Sequence, residues 1–147
     1  MKVALASDHA GYVLKETVKE ELEKRGFEVE DFGAFSRESV DYPDLALEAS
    51  FAVQKGECER GVLVCGTGIG VGITANKMKG IRAAPCTDCY SAYYARAHND
   101  ANILTIGARV IGDGLALKIV DVFLETSFEG GRHDKRVKKI KRIEEDL

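Results

Sequence analysis

The chain has 147 residues, 45% of them apolar and 31% charged, with a formal net charge of −3. That length can bury a real core and that composition is a soluble globular protein's, while the acidic balance offers no global field to nucleic acid or an anionic membrane. No run reaches the roughly 18 apolar residues of a membrane span, Asp8 and His9 come too early for a signal-peptide core, and the four cysteines form no secreted framework, so a reducing cytoplasm is the expected setting.

Residues 2–7 (KVALAS) are a short apolar run and predict a first strand. In the next segment Leu14, Val18 and Leu22 recur every four residues, charges take the other face and Gly26 stops the pattern, which predicts an amphipathic helix. Residues 27–33 (FEVEDFG) alternate as a strand does. A loop runs to Pro43, and 44–56 is helical. Residues 61–65 (GVLVC) predict a third strand, followed by a glycine loop and a helix near 70–78. Residues 81–86 (IRAAPC) predict strand four, 91–98 a helix, 102–107 (NILTIG) strand five and 114–126 a helix. A final helix is expected at about 132–144. Neither linker nor repeat interrupts the series, so 1–147 is expected to form one domain.

Strands alternating with helices predict a three-layer αβα sandwich around a five-stranded parallel sheet. The Rossmann/flavodoxin-like order 2-1-3-4-5 is the natural assignment. It puts the topological switch between strands one and three, where ligands bind beyond the carboxyl ends. Strand one ends in Asp8-His9 and strand three in Cys65-Gly66, so an acid, an imidazole and a thiol are expected in one crevice.

The glycines Gly66, Gly68, Gly70 and Gly72 fit neither a Walker loop, which needs a lysine, nor a dinucleotide fingerprint, whose third glycine would fall on Val71 or Ile73. What remains is a strand-to-helix turn whose bare N–H groups favour negative charge, or a tight turn packed for its own sake. Cys65 beside it is either a nucleophile or general base, or a small buried hydrophobe. His98, Asn99, Asp100 and Asn102 crowd a helix end, as capping chemistry or as a site. Arg132 and Arg136, four apart, share a helix face and can grip a phosphate; a solvated basic face and a nucleic-acid patch are the rival readings. Cys86 and Cys89 have redox or zinc spacing without a second pair, so no metal is expected.

Taken together, the segments SDHAG, VDYPD, GVLVCGTGIGVGITANKMKGIRAA, HNDANILTIGARVIG and FEGGRHDKRV resemble the ribose-5-phosphate isomerase B family, from Lys2 to about Ile143. The same group includes allose- and galactose-6-phosphate enzymes. The resemblance implies a metal-free, cofactor-free aldose–ketose isomerisation through an enediolate. Cys65 would be the base, and the amides of Gly66, Thr67, Gly68, Ile69 and Gly70 would hold the anion. His98 would open the sugar ring. Asp8 and Asn99 would contact the sugar, and His9, Arg109, Arg132 and Arg136 the phosphate. His98, Asn99 and Arg109 would come from a second subunit, which implies a homodimer, with tetramers as a further option, and no nucleic acid or membrane partner. The segment holding Pro85, Cys86, Cys89 and Tyr93 departs from the family's usual residues. A six-carbon sugar phosphate is the alternative substrate, and a non-catalytic nucleotide- or flavin-binding module the alternative class.

Overall fold

A computed structural model describes residues 1–147. Five strands, β1 (Lys2–Ser7), β2 (Glu28–Asp31), β3 (Arg60–Cys65), β4 (Ala83–Pro85) and β5 (Ile103–Gly107), pair in parallel. Six helices surround them: α1 (Tyr12–Lys24), α2 (Tyr42–Gln54), α3 (Ile69–Ala75), α4 (Cys89–Ala97), α5 (Asp113–Glu125) and α6 (Arg132–Glu145). The layered α/β class is as the sequence predicts.

The strand order is β2-β1-β3-β5-β4, not 2-1-3-4-5. β4 takes the edge because it is three residues long and ends in Pro85, which has no N–H to give a second neighbour. β5 is buried throughout, ILTIG, and fills the central place beside β3. The exchange matters for the site: Gly107, rather than the end of β4, stands opposite Cys65.

Alternation along the strands divides the core. Val3 and Leu5 of β1 face α1, α4 and α5, where Leu14, Val18, Leu22, Ile119 and Phe123 are buried. Ala4 and Ala6 face the other way, against Ala46, Ala49 and Ala52 of α2 and Val71 and Ala75 of α3. Small residues on both sides let α2 lie close to the sheet. Each fully buried Val, Leu or Ile contributes about 1.5–3 kcal/mol, so the larger side chains of the α1/α5 layer supply most of the hydrophobic drive.

Local signals end the helices. Gly26, with φ +84°, closes α1. Pro43 opens α2 in its first turn. Asp88 caps α4 by accepting the Ser91 N–H at 2.7 Å. The α1 pattern has one departure: Lys15 is fully buried.

Candidate active site

The β1–β3 register pairs Ser7 with Val64, so the next residues, Asp8 and Cys65, emerge side by side at the carboxyl edge. Asp8 N–H donates to Val64 O at 3.2 Å, and Asp8 Oδ1 accepts the Gly11 N–H at 3.0 Å. Gly11 has to be small, since a β-carbon there would lie 2.5 Å from Val64 O. His9, partly exposed, accepts the Val40 N–H on Nδ1 at 3.2 Å. In the neutral ring the proton is then on Nε2.

Cys65 is 5% exposed, and its Sγ accepts the Gly68 N–H at 3.1 Å. The loop folds over the end of β5. Gly68 has φ +79°, and a β-carbon on it would meet the Ile106 carbonyl carbon at 2.9 Å, so two independent constraints demand glycine. Thr105 Oγ1 donates to Gly68 O at 2.7 Å in the interior and pins the turn. Gly70 lies under the Tyr42 ring, with a built β-carbon 2.5 Å from Cε1.

Of the five amides in the loop, that of Gly68 serves the sulfur and that of Ile69 donates to Thr67 Oγ1 at 3.2 Å. The N–H groups of Gly66, Thr67 and Gly70 are committed to no acceptor within the chain. They are therefore the donors available to an anion beside the thiol. Arg109 closes this cluster: its N–H donates to Gly66 O at 3.0 Å, and its Cδ and Nη1 lie 3.5 Å from where a Gly66 β-carbon would be. The guanidinium thus stands over the loop of its own chain.

His98, Asn99, Arg132 and Arg136 form a second cluster elsewhere. His98 caps the end of α4, and α4 runs against the strand direction, so it ends at the amino edge of the sheet. There Asn102 O accepts from Gly61, and Ala97 O accepts from Glu129. The four register steps from Gly61–Ile103 to Cys65–Gly107 span about 13 Å at ~3.3 Å each. Within one chain His98 therefore stands at least a sheet's length from the sulfur.

The His98 ring stacks on His133 with centroids 3.9 Å apart and a 14° tilt, and Tyr94 packs against it at 4.5 Å. Glu129 Oε2 lies 3.8 Å from His98 Nε2 and 3.7 Å from His133 Nε2. Burial, then the charges of His98 and Arg132, hold His133 below the usual histidine value of 6.5, against the pull of Glu129. Arg132 and Arg136 are exposed on the first turns of α6. Asn99 is exposed too, and its carbonyl accepts from Arg82 Nε at 3.1 Å. The two histidines and Glu129 are near enough to share an ion, with ligand atoms within 4.8 Å of one another. Yet the rings stack rather than converge, and Arg132 Nε donates to His133 Nε2 at 3.4 Å. The arrangement suits proton exchange and anion binding better than metal ligation.

The family described as Ribose/Galactose Isomerase matches residues 3–140. The chain belongs to that family. The isomerase is 48% identical over 144 residues to Ribose-5-phosphate isomerase B of Escherichia coli strain K12, covering 98% of this chain and 97% of that one. It superposes on the solved Ribose-5-Phosphate Isomerase B of Clostridium thermocellum with TM-score 0.98 and 55% identity, over 99% of both chains. A Mycoplasma genitalium Ribose-5-phosphate Isomerase B solved with bound Ribulose-5-phosphate gives TM-score 0.95 and 41% identity, over 99% of this chain and 97% of that one. The isomerase is thus an enzyme acting on sugar phosphates.

Two residues of its clusters carry no sequence expectation. Tyr42 lies inside VDYPD, in a stretch read as loop until Pro43, although it begins α2. His133 sits between the two arginines of GGRHDKRV on the first turn of α6, and Glu129 reaches it from the loop before that helix, across Gly130 and Gly131.

Proposed function

We propose that the isomerase interconverts ribose 5-phosphate and ribulose 5-phosphate through an enediolate. The observation that carries this reading is the Cys65 sulfur held at the carboxyl end of β3 beside Asp8 and the uncommitted N–H groups of Gly66, Thr67 and Gly70. Cys65 takes a proton from one carbon and returns it to its neighbour. The negative charge that develops on the sugar oxygens meets amides already aimed and held, so no reorganisation is needed as it forms. Asp8 holds a sugar hydroxyl. His9 Nε2–H and the Arg109 guanidinium bind the phosphate.

Ring opening needs a proton carrier, and His98 is a sheet's length away in its own chain. A second copy supplies it, with Asn99, Arg132 and Arg136, so the working unit is a homodimer. Leu47 and Phe51 on α2 and Ile69 and Ile73 on α3 are 43–59% exposed. They form an apolar surface on the side of the sheet that also carries Cys65, and Ile69 belongs to the glycine loop. A second copy seated there covers the surface and reaches the site. The four unpaired thiols fit a reducing cytoplasm.

The test is conversion of ribose 5-phosphate followed by proton NMR in deuterated water, with Cys65→Ala beside the wild type. Loss of the base should cost about 10²–10⁴-fold in kcat while far-UV circular dichroism stays unchanged. Wild-type turnover by the alanine variant would remove the sulfur from the mechanism.

A further inference from the structure

Lys15 lies on α1 with no exposed side-chain surface, and its ammonium spends every hydrogen. Nζ donates to Asp31 Oδ1 at 2.7 Å, to Asp31 Oδ2 at 2.8 Å and to Ala34 O at 2.7 Å. Asp31, itself 7% exposed, also accepts the Gly33 N–H at 2.9 Å and meets Lys19 Nζ at 3.3 Å. A buried ion pair of this kind is a poor source of net stability, because apolar residues of similar volume usually do as well. What it supplies is a fixed geometry, so the question is what it fixes.

The answer lies in the connection 32–41 between β2 and α2. Its near end is locked to the residue just before Asp8: Ser7 N–H donates to Gly33 O at 2.6 Å, and Ala34 N–H donates to Ser7 O at 2.7 Å. Its middle, residues 35–41, is exposed. Its far end touches the site twice, through the Val40 N–H on His9 Nδ1 and through Tyr42 over Gly70. Val40 lies two residues before α2, so its N–H is placed from both sides, by that helix and by the anchored near end.

We propose that Lys15, with Asp31, is a positioning pair for the site. By anchoring Gly33 and Ala34 it keeps the Val40 N–H on His9 Nδ1, which makes Nε2 the nitrogen that carries the proton and can donate to the substrate phosphate. The consequence for turnover rests on the function proposed above; the tautomer does not.

The test uses the full chain as Lys15→Met/Asp31→Leu, which removes both charges of the pair and leaves no buried carboxylate unpaired; Glu16, 3.2 Å from Lys15 Nζ, is exposed to water. With three histidines in the sequence, the His9 ring nitrogens are resolvable by 15N NMR. The double variant should fold, His9 should move from the Nε2–H form toward a mixture, and KM for ribose 5-phosphate should rise about tenfold or more, the usual worth of a hydrogen bond to a charged group, with kcat little changed. Val40→Pro, which deletes the donor at the exposed end, should give the same two changes, and if the double variant does not fold, Asp31→Asn, which weakens the anchor without emptying it, should give them in smaller measure. A folded variant with the wild-type His9 tautomer and KM overturns the proposal. Should the wild type fail to convert ribose 5-phosphate while the tautomer still shifts, the substrate assignment falls and the positioning pair stands.

Discussion

The two clusters of polar residues differ in how they are built. At the carboxyl edge of the sheet, Asp8, Cys65 and the glycine loop are held by buried strand ends, an interior Thr105–Gly68 hydrogen bond and a glycine with φ +79°. At the amino edge, His98, Asn99, Arg132 and Arg136 hang from helix ends, and all but His98 are exposed. One cluster is finished when a single chain folds. The other presents groups outward, as a half-site for another molecule does. On the proposed mechanism, a rigid scaffold would fix the atoms that move a proton from carbon, and a surface would deliver the groups that handle the ring and the phosphate.

The sharpest way to break this comparison is to inactivate each cluster in a different subunit. Cys65→Ala and His98→Asn chains should each be inactive alone. After co-refolding, mixed dimers contain one site with both residues intact, and activity should return in part. A mixture as dead as its components would return His98 to its own chain and undo the shared-site reading.

The rigidity of the first cluster is tested next. Gly68→Ala forces a side chain into left-handed backbone against Ile106 and should cost about 1–3 kcal/mol in urea unfolding. Asn99→Ala, exposed at the second cluster, should stay within about 0.5 kcal/mol. Equal costs would mean the two clusters are built alike.

A smaller effect separates the sulfurs. Burial, helped by the Glu30 carboxylate, pushes the Cys58 thiol up to about 11; burial, helped by Asp88, does the same to Cys86, also to about 11. Neither should react with iodoacetamide at pH 8 in the native protein, and both should be labelled after unfolding, as peptide mass spectrometry would record. Native labelling of Cys86 would contradict its burial.

The smallest effect is that of pH on the second cluster. The folded state holds His133 below 6.5, so the unfolded chain binds its proton first. Stability contributed by the neutral ring is complete above 6.5 and falls as pH drops through that value toward the folded one. The urea midpoint should fall between pH 7.5 and 5.5, and by less in His133→Gln. An identical fall in that variant would assign the effect to other groups.

Much of the carboxyl-edge cluster was legible because it follows from chain order. An apolar strand that stops at Asp8 and another that stops at Cys65 must end at the same edge if both are parallel. The outer strand order was harder, because β4 and β5 are both short and apolar; Pro85 was the available clue, since a missing N–H belongs at an edge. Lys15 reads as one of the charges on the polar face of α1, and only the folded position of Asp31 reveals it as interior. His133 and Tyr42 escaped notice because their partners, His98 and Gly70, lie 35 and 28 positions away. The separation of His98 from the sulfur is likewise invisible without knowing that α4 runs back along the sheet.

The roughly 13 Å of sheet between the clusters also bears on how changes in the two combine. Within one chain, substitutions so far apart should cost folding energy almost independently, whereas in the proposed dimer the same positions face each other across one site and should couple in turnover.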